Sequence, residues 1–442
     1  MSCTDLLRNA FGTTLLATLA ACGGSTTTTT ITGPGIGDGT SVAEAHVDVP
    51  TGDNTTQIVV DDGPSGSFAI GAVNVPYVTV TICAPGSTSQ CATIDHVFLD
   101  TGSIGLRLLR SKVAALALPS VAVPADTTSG TPAGTALECY PFVLGAVWGP
   151  LASADLQIAG ERAASLPVQL IDDSTTPAWP APADCISASN GQLMNSAASL
   201  QANGILGIGM LAFDCGLACA NGDYSSGYTL YYSCPATCVP AALPAPMQVR
   251  NPVTYFATDN NGTLIVLPKL PAFGAGTATG RLVFGIGTQA NNQLPSTATV
   301  VHVDANPADA DYLYFSTKVA ANSYADSYID SGSNAYFFDD SGLAKDCQNT
   351  TGGTSSWYCP ATSLQRAAVI SDNAGASVSV AYDVTNADAL FGTSSLALND
   401  LAGSVSSGSP SFVWGLPFFY GRPVYTSIWG QALSADGPWN AF

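Results

Sequence analysis

Val97-Phe98-Leu99-Asp100-Thr101-Gly102-Ser103 and, far downstream, Ser327-Tyr328-Ile329-Asp330-Ser331-Gly332-Ser333 follow one pattern. In each, an acid ends an apolar run and is followed by a hydroxyl residue, a glycine and a second hydroxyl. Each is trailed by an apolar–apolar–Gly element, Ile205-Leu206-Gly207 after the first and Val413-Trp414-Gly415 after the second. A repeat at so long a spacing suits two related lobes better than a solenoid. Asp340-Ser341-Gly342 is a near miss: it fails at Leu343 and lacks the apolar run before it.

The surrounding sequence predicts an all-β chain. Short runs such as Tyr77-Val78-Thr79-Val80-Thr81-Ile82 and Leu264-Ile265-Val266-Leu267 are rich in β-branched residues and bounded by Gly, Pro, Asn or Asp. With 44 Gly and 28 Pro, the chain has the turn residues that many short strands need. The best helical spacing, Leu106, Leu109, Val113 and Leu116, predicts one short helix near 106–118, stopped by Pro119.

Duplicated acids point to a particular chemistry. Two carboxylates held close cannot both ionise cheaply, so the pair shares a proton and offers a general base and a general acid together. The base can activate a water between them while the acid polarises a carbonyl. The glycine after each acid allows a tight turn, and the hydroxyls can bond the carboxylates and hold them coplanar.

On these motifs the chain resembles the pepsin-like aspartic peptidases, and also a group of bacterial lipoproteins carrying the same pair. Asn203-Gly204-Ile205-Leu206-Gly207-Ile208-Gly209 is similar to the family's Asp-Gly-Ile-Leu-Gly segment. Arg281-Leu282-Val283-Phe284-Gly285 is similar to the strand opening its second lobe, and Phe412-Val413-Trp414-Gly415-Leu416-Pro417-Phe418-Phe419 to its closing segment. The resemblance covers most of residues 75–435. It implies a two-lobed all-β fold in which each lobe gives one loop to a central cleft. Asp100 and Asp330 would be the catalytic pair, Thr101 and Ser331 would bond across the lobe junction, and Ser103 and Ser333 would support the carboxylates, with Gly102 and Gly332 in the turns. The implied activity is endopeptidase cleavage of protein or peptide substrates by an activated water, without cofactor or metal.

The resemblance departs in two places. The family has a hairpin tyrosine over its cleft, whereas Phe142 sits nearest that position here and lacks the hydroxyl; Tyr140 or Trp148 would have to substitute. Many members also carry a basic prosegment whose lysine neutralises the acids. Cys22 to Val97 contains no Lys or Arg, so no such prosegment is expected. The rival reading, from a different class, is a non-catalytic lipoprotein of the same fold that binds peptides or cell-surface glycans.

Composition excludes other classes. Twelve Lys+Arg stand against 32 Asp+Glu, a net charge of −20, and no Lys or Arg occurs between Arg8 and Arg107, so clustered phosphate contacts and a nucleic-acid partner are not expected. The acidity suits work in acid, and it equally serves solubility. His46, His96 and His302 offer no placed base for a serine or cysteine triad, and no Gly-x-Ser-x-Gly elbow is present. Gly35 to Gly39 has no following helix and does not read as a phosphate loop. A glycosidase could use two carboxylates, yet it has no need of duplicated Asp-hydroxyl-Gly loops.

Residues 1–21 read as an export signal: Arg8, an apolar stretch from Phe11 to Ala21, then Leu19-Ala20-Ala21-Cys22-Gly23, which resembles the bacterial lipobox. Cys22 would carry lipid, and Gly23, lacking a retention acid, leans toward the outer membrane. Residues 22–45, with Thr26 to Thr30, read as a flexible tether. An N-terminal lobe over 46–250 and a C-terminal lobe over 251–442 would follow, the whole a monomer facing the periplasm or cell surface. Setting aside Cys3 and Cys22, the ten remaining cysteines fall into local groups. An oxidising compartment would pair Cys83–Cys91, Cys139–Cys185 and Cys347–Cys359. In the cluster at 212–240, nested bridges Cys215–Cys238 and Cys219–Cys234 are expected in preference to zinc. That cluster, with Tyr224, Tyr228, Tyr231 and Tyr232, reads as a stapled insertion beside the cleft.

Overall fold

The computed structural model describes residues 50–442 apart from 65–72, 190, 223–228, 307–308, 346, 348–355, 406–407 and 432–436. The export signal, Cys22, the tether, His46, Tyr224 and Tyr228 lie outside the described residues. The chain is all-β and two-lobed, its strands divided between two sheets.

The first lobe is a sheet that closes on itself. Its neighbours run Tyr231–Cys234, Gly134–Pro141, Ala146–Ile158, Glu161–Ile171, Ile104–Leu109, Gly204–Ile208, Cys91–Asp100 and Pro76–Cys83. The last of these also pairs with Ala146–Ile158, at Thr81↔Gln157 and Ile82↔Leu156, which gives the sheet its barrel-like curl. Alternation explains the strand at Pro76–Cys83: Val78, Val80 and Ile82 are buried while Thr79 is exposed. The second lobe is a separate sheet of Ser377–Val384, Leu364–Ser371, Asp309–Val319, Asn322–Ile329, Val413–Trp414, Tyr336–Phe337 and Ala402–Gly403. Its core is aromatic. Phe338 and Phe412 stack with centroids 4.6 Å apart, Phe412 and Trp414 at 4.4 Å, and the Trp414 indole N–H donates to Thr317 Oγ1 at 3.0 Å.

A ribbon joins the lobes. Thr55–Val60 pairs antiparallel with Ala278–Phe284 from Thr55↔Val283 to Val60↔Ala278, and Gly262–Val266, Val424–Ser427 and Trp439–Ala441 continue outward. The sheets therefore do not divide at 250/251. Strands of the expected C-terminal lobe extend the first sheet, and Thr55–Val60 belongs to the junction.

Two local expectations are corrected. Residues 104–109 are a strand, not the start of a helix; only Arg110–Val113 makes a short 3-10 turn. The strand lies between Glu161–Ile171 and Gly204–Ile208 and is buried along its whole length. With no exposed face, the apolar spacing had no face to report. In the cysteine cluster the bridges are Cys215–Cys219 and Cys234–Cys238, not the nested Cys215–Cys238 and Cys219–Cys234. Cys215 precedes the helix Leu217–Asn221 and Cys219 lies in its first turn. Cys234 and Cys238 flank the turn between Tyr231–Cys234 and Val239–Pro240. Each bridge closes one tight local loop. The other three are Cys83–Cys91, Cys139–Cys185 and Cys347–Cys359.

Candidate active site

Each acid is delivered by the same three-strand device. Cys91–Asp100 runs parallel to Gly204–Ile208, with Val97↔Gly204 and Asp100↔Gly207, and Ile104–Leu109 returns antiparallel on the other side of that strand. In the second lobe Asn322–Ile329 runs parallel to Val413–Trp414, with Ile329↔Trp414, and Tyr336–Phe337 returns antiparallel. The apolar–apolar–Gly elements are thus the central strands under each acid loop. Their glycines are needed because the loop presses on them. A β-carbon on Gly207 would lie 2.7 Å from the Ile104 nitrogen, and one on Gly415 would lie 2.5 Å from the Ser333 carbonyl oxygen.

The two loops meet tip to tip. The Ser331 N–H donates to Thr101 Oγ1 at 2.9 Å, and the Thr101 N–H donates to Ser331 Oγ at 3.1 Å. Ser331 Oγ in turn donates to the Leu99 carbonyl at 2.9 Å. Within each loop the carboxylate is held twice. Asp100 accepts from the Gly102 N–H at 2.8 Å and from the Ser103 hydroxyl; Asp330 accepts from the Gly332 N–H at 2.7 Å and from Ser333 Oγ at 2.7 Å. Gly102 and Gly332 do not have positive φ. They are glycine because each lies against the opposite acid: a β-carbon on Gly102 would fall 2.7 Å from Asp330 Cγ, and one on Gly332 would fall 2.8 Å from Asp100 Cγ.

Ser331 carries the lobe contact. In Ser331→Ala the buried Thr101 N–H and Leu99 carbonyl lose their shared partner, which costs roughly 1–3 kcal/mol. A lowered thermal midpoint with the far-UV spectrum unchanged is the expected result; an unchanged midpoint would mean the contact contributes nothing.

Asp100 and Asp330 are 6% and 9% exposed, while Gly102 is exposed, so the acids sit just beneath an open surface. Burial first, and then the negative charge of Asp100, push the Asp330 carboxyl up to about 8, against the opposing pull of its bonds from Ser333 and Gly332. The pair therefore holds one proton well above the usual carboxylate range, as two enclosed neighbouring acids do when they share it.

The expected hairpin is present. Gly134–Pro141 pairs with Ala146–Ile158, and the tip is closed by the Phe142 N–H donating to the Gly145 carbonyl at 2.9 Å, leaving Val143 and Leu144 exposed. Its three expected cleft residues separate. Phe142 packs beside Tyr140, with centroids 4.9 Å apart. The Tyr140 ring lies over the Arg107 guanidinium at 3.8 Å. Trp148 stands opposite Cys139, next to Tyr140 along the ladder, but is buried on the hairpin's other face, its N–H donated to the Trp179 carbonyl at 2.8 Å and its ring edge-on to Tyr232.

Sequence reading missed a buried charge cluster. Arg107 Nη2 donates to Glu138 Oε1 at 2.6 Å and to Asp214 Oδ2 at 3.2 Å, and its Nη1 donates to the Ile104 carbonyl at 2.6 Å. All three charged side chains are fully enclosed. The one available signal was a lone arginine inside the apolar run Ile104-Gly105-Leu106-Arg107-Leu108-Leu109.

The histidines are engaged elsewhere: His96 lies between Asp61 at 3.3 Å and Asp95 at 3.1 Å, and His302 beside Asp372 at 3.2 Å. Among the described residues the close group of possible metal ligands is Cys347, Cys359 and Asp388, and its two sulfurs are already joined in a disulfide. No helix among the described residues is long and apolar enough to cross a membrane.

Among solved structures the chain is similar to that titled "Crystal structure of aspartic proteinase from Irpex lacteus", at 13% identity, with 88% of this chain and 96% of that chain covered and a TM-score of 0.44. A comparison with curated proteins finds no match. The chain belongs to the family described as "Protein of unknown function (DUF3443)", which matches it over residues 50–442.

Proposed function

We propose that the chain is an exported aspartic endopeptidase that cleaves protein or peptide substrates with water activated between Asp100 and Asp330. The observation that carries this reading is the tip-to-tip packing of the two Asp-hydroxyl-Gly-Ser loops, each glycine against the other lobe's acid. One carboxylate takes a proton from the water while the protonated partner donates to the substrate carbonyl; the next proton transfer reverses the roles. Ser103 and Ser333 hold the carboxylates, and Thr101 and Ser331 fix the distance between lobes. A binder would gain nothing from two acids whose mutual repulsion costs stability.

The export half of the proposal rests on the lipobox at Cys22 and on the five disulfides, which suit an oxidising compartment. It places a monomer on a bilayer through a lipid on Cys22, facing the periplasm or cell surface, with the outer membrane favoured. Mass spectrometry of the N-terminal peptide from a bacterial membrane fraction should show a lipid-modified Cys22; an unmodified Cys22 would remove the anchor.

The test of catalysis is direct. An unfolded protein substrate should be cleaved in acid and progressively less as pH rises past neutrality, because the base–acid pair needs its single proton. Cleavage that survives in both Asp100→Asn and Asp330→Asn would remove the assignment. Tight peptide or glycan binding with no cleavage at any pH would establish the binding protein instead.

A further inference from the structure

Arg107 links the acid loop, the hairpin and the cysteine-rich insertion. It lies on the strand that leaves Ser103, and its own Nη1 bonds the Ile104 carbonyl at the start of that strand. Its fork grips Glu138 on the hairpin through Nε at 3.2 Å and Nη2 at 2.6 Å, and Tyr140, two residues further along the same hairpin strand, covers its face. Its other contact is Asp214, beside the Cys215–Cys219 bridge at the root of the insertion. The remaining elements around the cluster bring one further titratable group, the phenol of Tyr231. It donates to Asp214 at 2.7 Å and accepts from the Val249 N–H at 2.9 Å. Gln169 Nε2 donates to the Glu138 backbone carbonyl at 2.8 Å.

We propose that Arg107 is a positioning residue that sets the posture of the 134–158 hairpin relative to the acid pair, and that two carboxylates on one guanidinium make this grip firm while the cluster keeps its proton and loose once that proton leaves at higher pH. Charge counting carries it. One enclosed cation cannot neutralise two enclosed carboxylates, and an uncompensated buried charge is costly, so the cluster keeps a proton. Asp214 holds it: burial and then the charge of Glu138 raise its carboxyl well above the ordinary range, against Arg107. When that proton leaves, Glu138 and Asp214 repel one another across the guanidinium, and the hairpin is released from the insertion.

The consequence for cleavage rests on the peptidase reading; the grip itself does not, and the experiment separates them. Hydrogen exchange of the hairpin amides on the full chain, corrected for intrinsic rates, is expected to be at least about tenfold faster at high pH, once that proton has left, than in acid, with the Cys91–Asp100 strand unchanged. Asp214→Asn keeps the Arg107 and Tyr231 contacts without the charge, so its hairpin should stay protected at both pH values. Arg107→Lys, which loses the fork, should lower kcat/KM by about tenfold, through KM more than kcat. Should Arg107→Lys fail to fold, Asp214→Asn and the wild type still decide. Hairpin exchange independent of pH in the wild type, or equally pH-dependent in Asp214→Asn, overturns the proposal. A pH-dependent grip in a chain that cleaves nothing would leave the grip standing and remove the peptidase.

Discussion

Asp330→Asn is expected to lower cleavage by on the order of 10⁴-fold and yet to fold more stably than the wild type at neutral pH. The loss follows from removing one member of an acid–base pair. The gain follows from linkage. The Asp330 carboxyl titrates at about 8 in the folded chain against an ordinary value of 3.8, so between those values the folded state holds a proton that the unfolded state has released. The contribution of Asp330 to stability is full below about pH 4 and is lost as pH rises through about 8. Asparagine carries no such proton. The variant's advantage should therefore be absent in acid and exceed about 1 kcal/mol at neutral pH, one pKa unit being worth about that much. Thermal midpoints of both proteins at two pH values measure it. A variant less stable than wild type at neutral pH would mean that the acids are not strained by one another.

Arg107→Met is expected to be the most destabilising single substitution outside the acid loops, at roughly 3–5 kcal/mol. Methionine fills much of the space, so packing alone predicts a small effect. Glu138 and Asp214, both fully enclosed, would lose the cation they share, and Tyr140 would lose the group it covers. Denaturant unfolding of the variant beside Arg107→Met/Glu138→Gln separates the causes. If lost charge compensation dominates, neutralising Glu138 should recover a substantial part of the loss. If it recovers nothing, the cost lies in packing.

The acid pair was legible in the sequence because its chemistry is local. Four consecutive residues hold each carboxylate, and the strand that supports them carries a recognisable Gly. What was not legible was the reason for Gly102 and Gly332. A tight turn was the natural expectation, whereas the constraint comes from an acid on the opposite lobe, a contact between residues far apart in the chain. Cysteine pairing in the 212–240 region failed for a related reason. Spacing alone is compatible with nested or local bridges, and only the pairing of Tyr231–Cys234 with Val239–Pro240 brings Cys234 and Cys238 together. The 104–109 segment misled because full burial erases periodicity. The Arg107 cluster draws on three separate stretches of chain, so nothing local could announce it. Trp148 shared a stretch with Tyr140 and Phe142, but as the partner of Cys139 it faces the other side of the hairpin, in a different core.

The shared proton is tested most directly by following the Asp330 side-chain carboxyl carbon by NMR, with ¹³C-labelled aspartate, in the wild type and in Asp100→Asn. The wild-type signal should change charge state near neutral pH, and it should move to lower pH once the neighbouring charge of Asp100 is gone. An Asp330 carboxyl that titrates in the ordinary carboxylate range, and is unmoved by Asp100→Asn, would contradict the account.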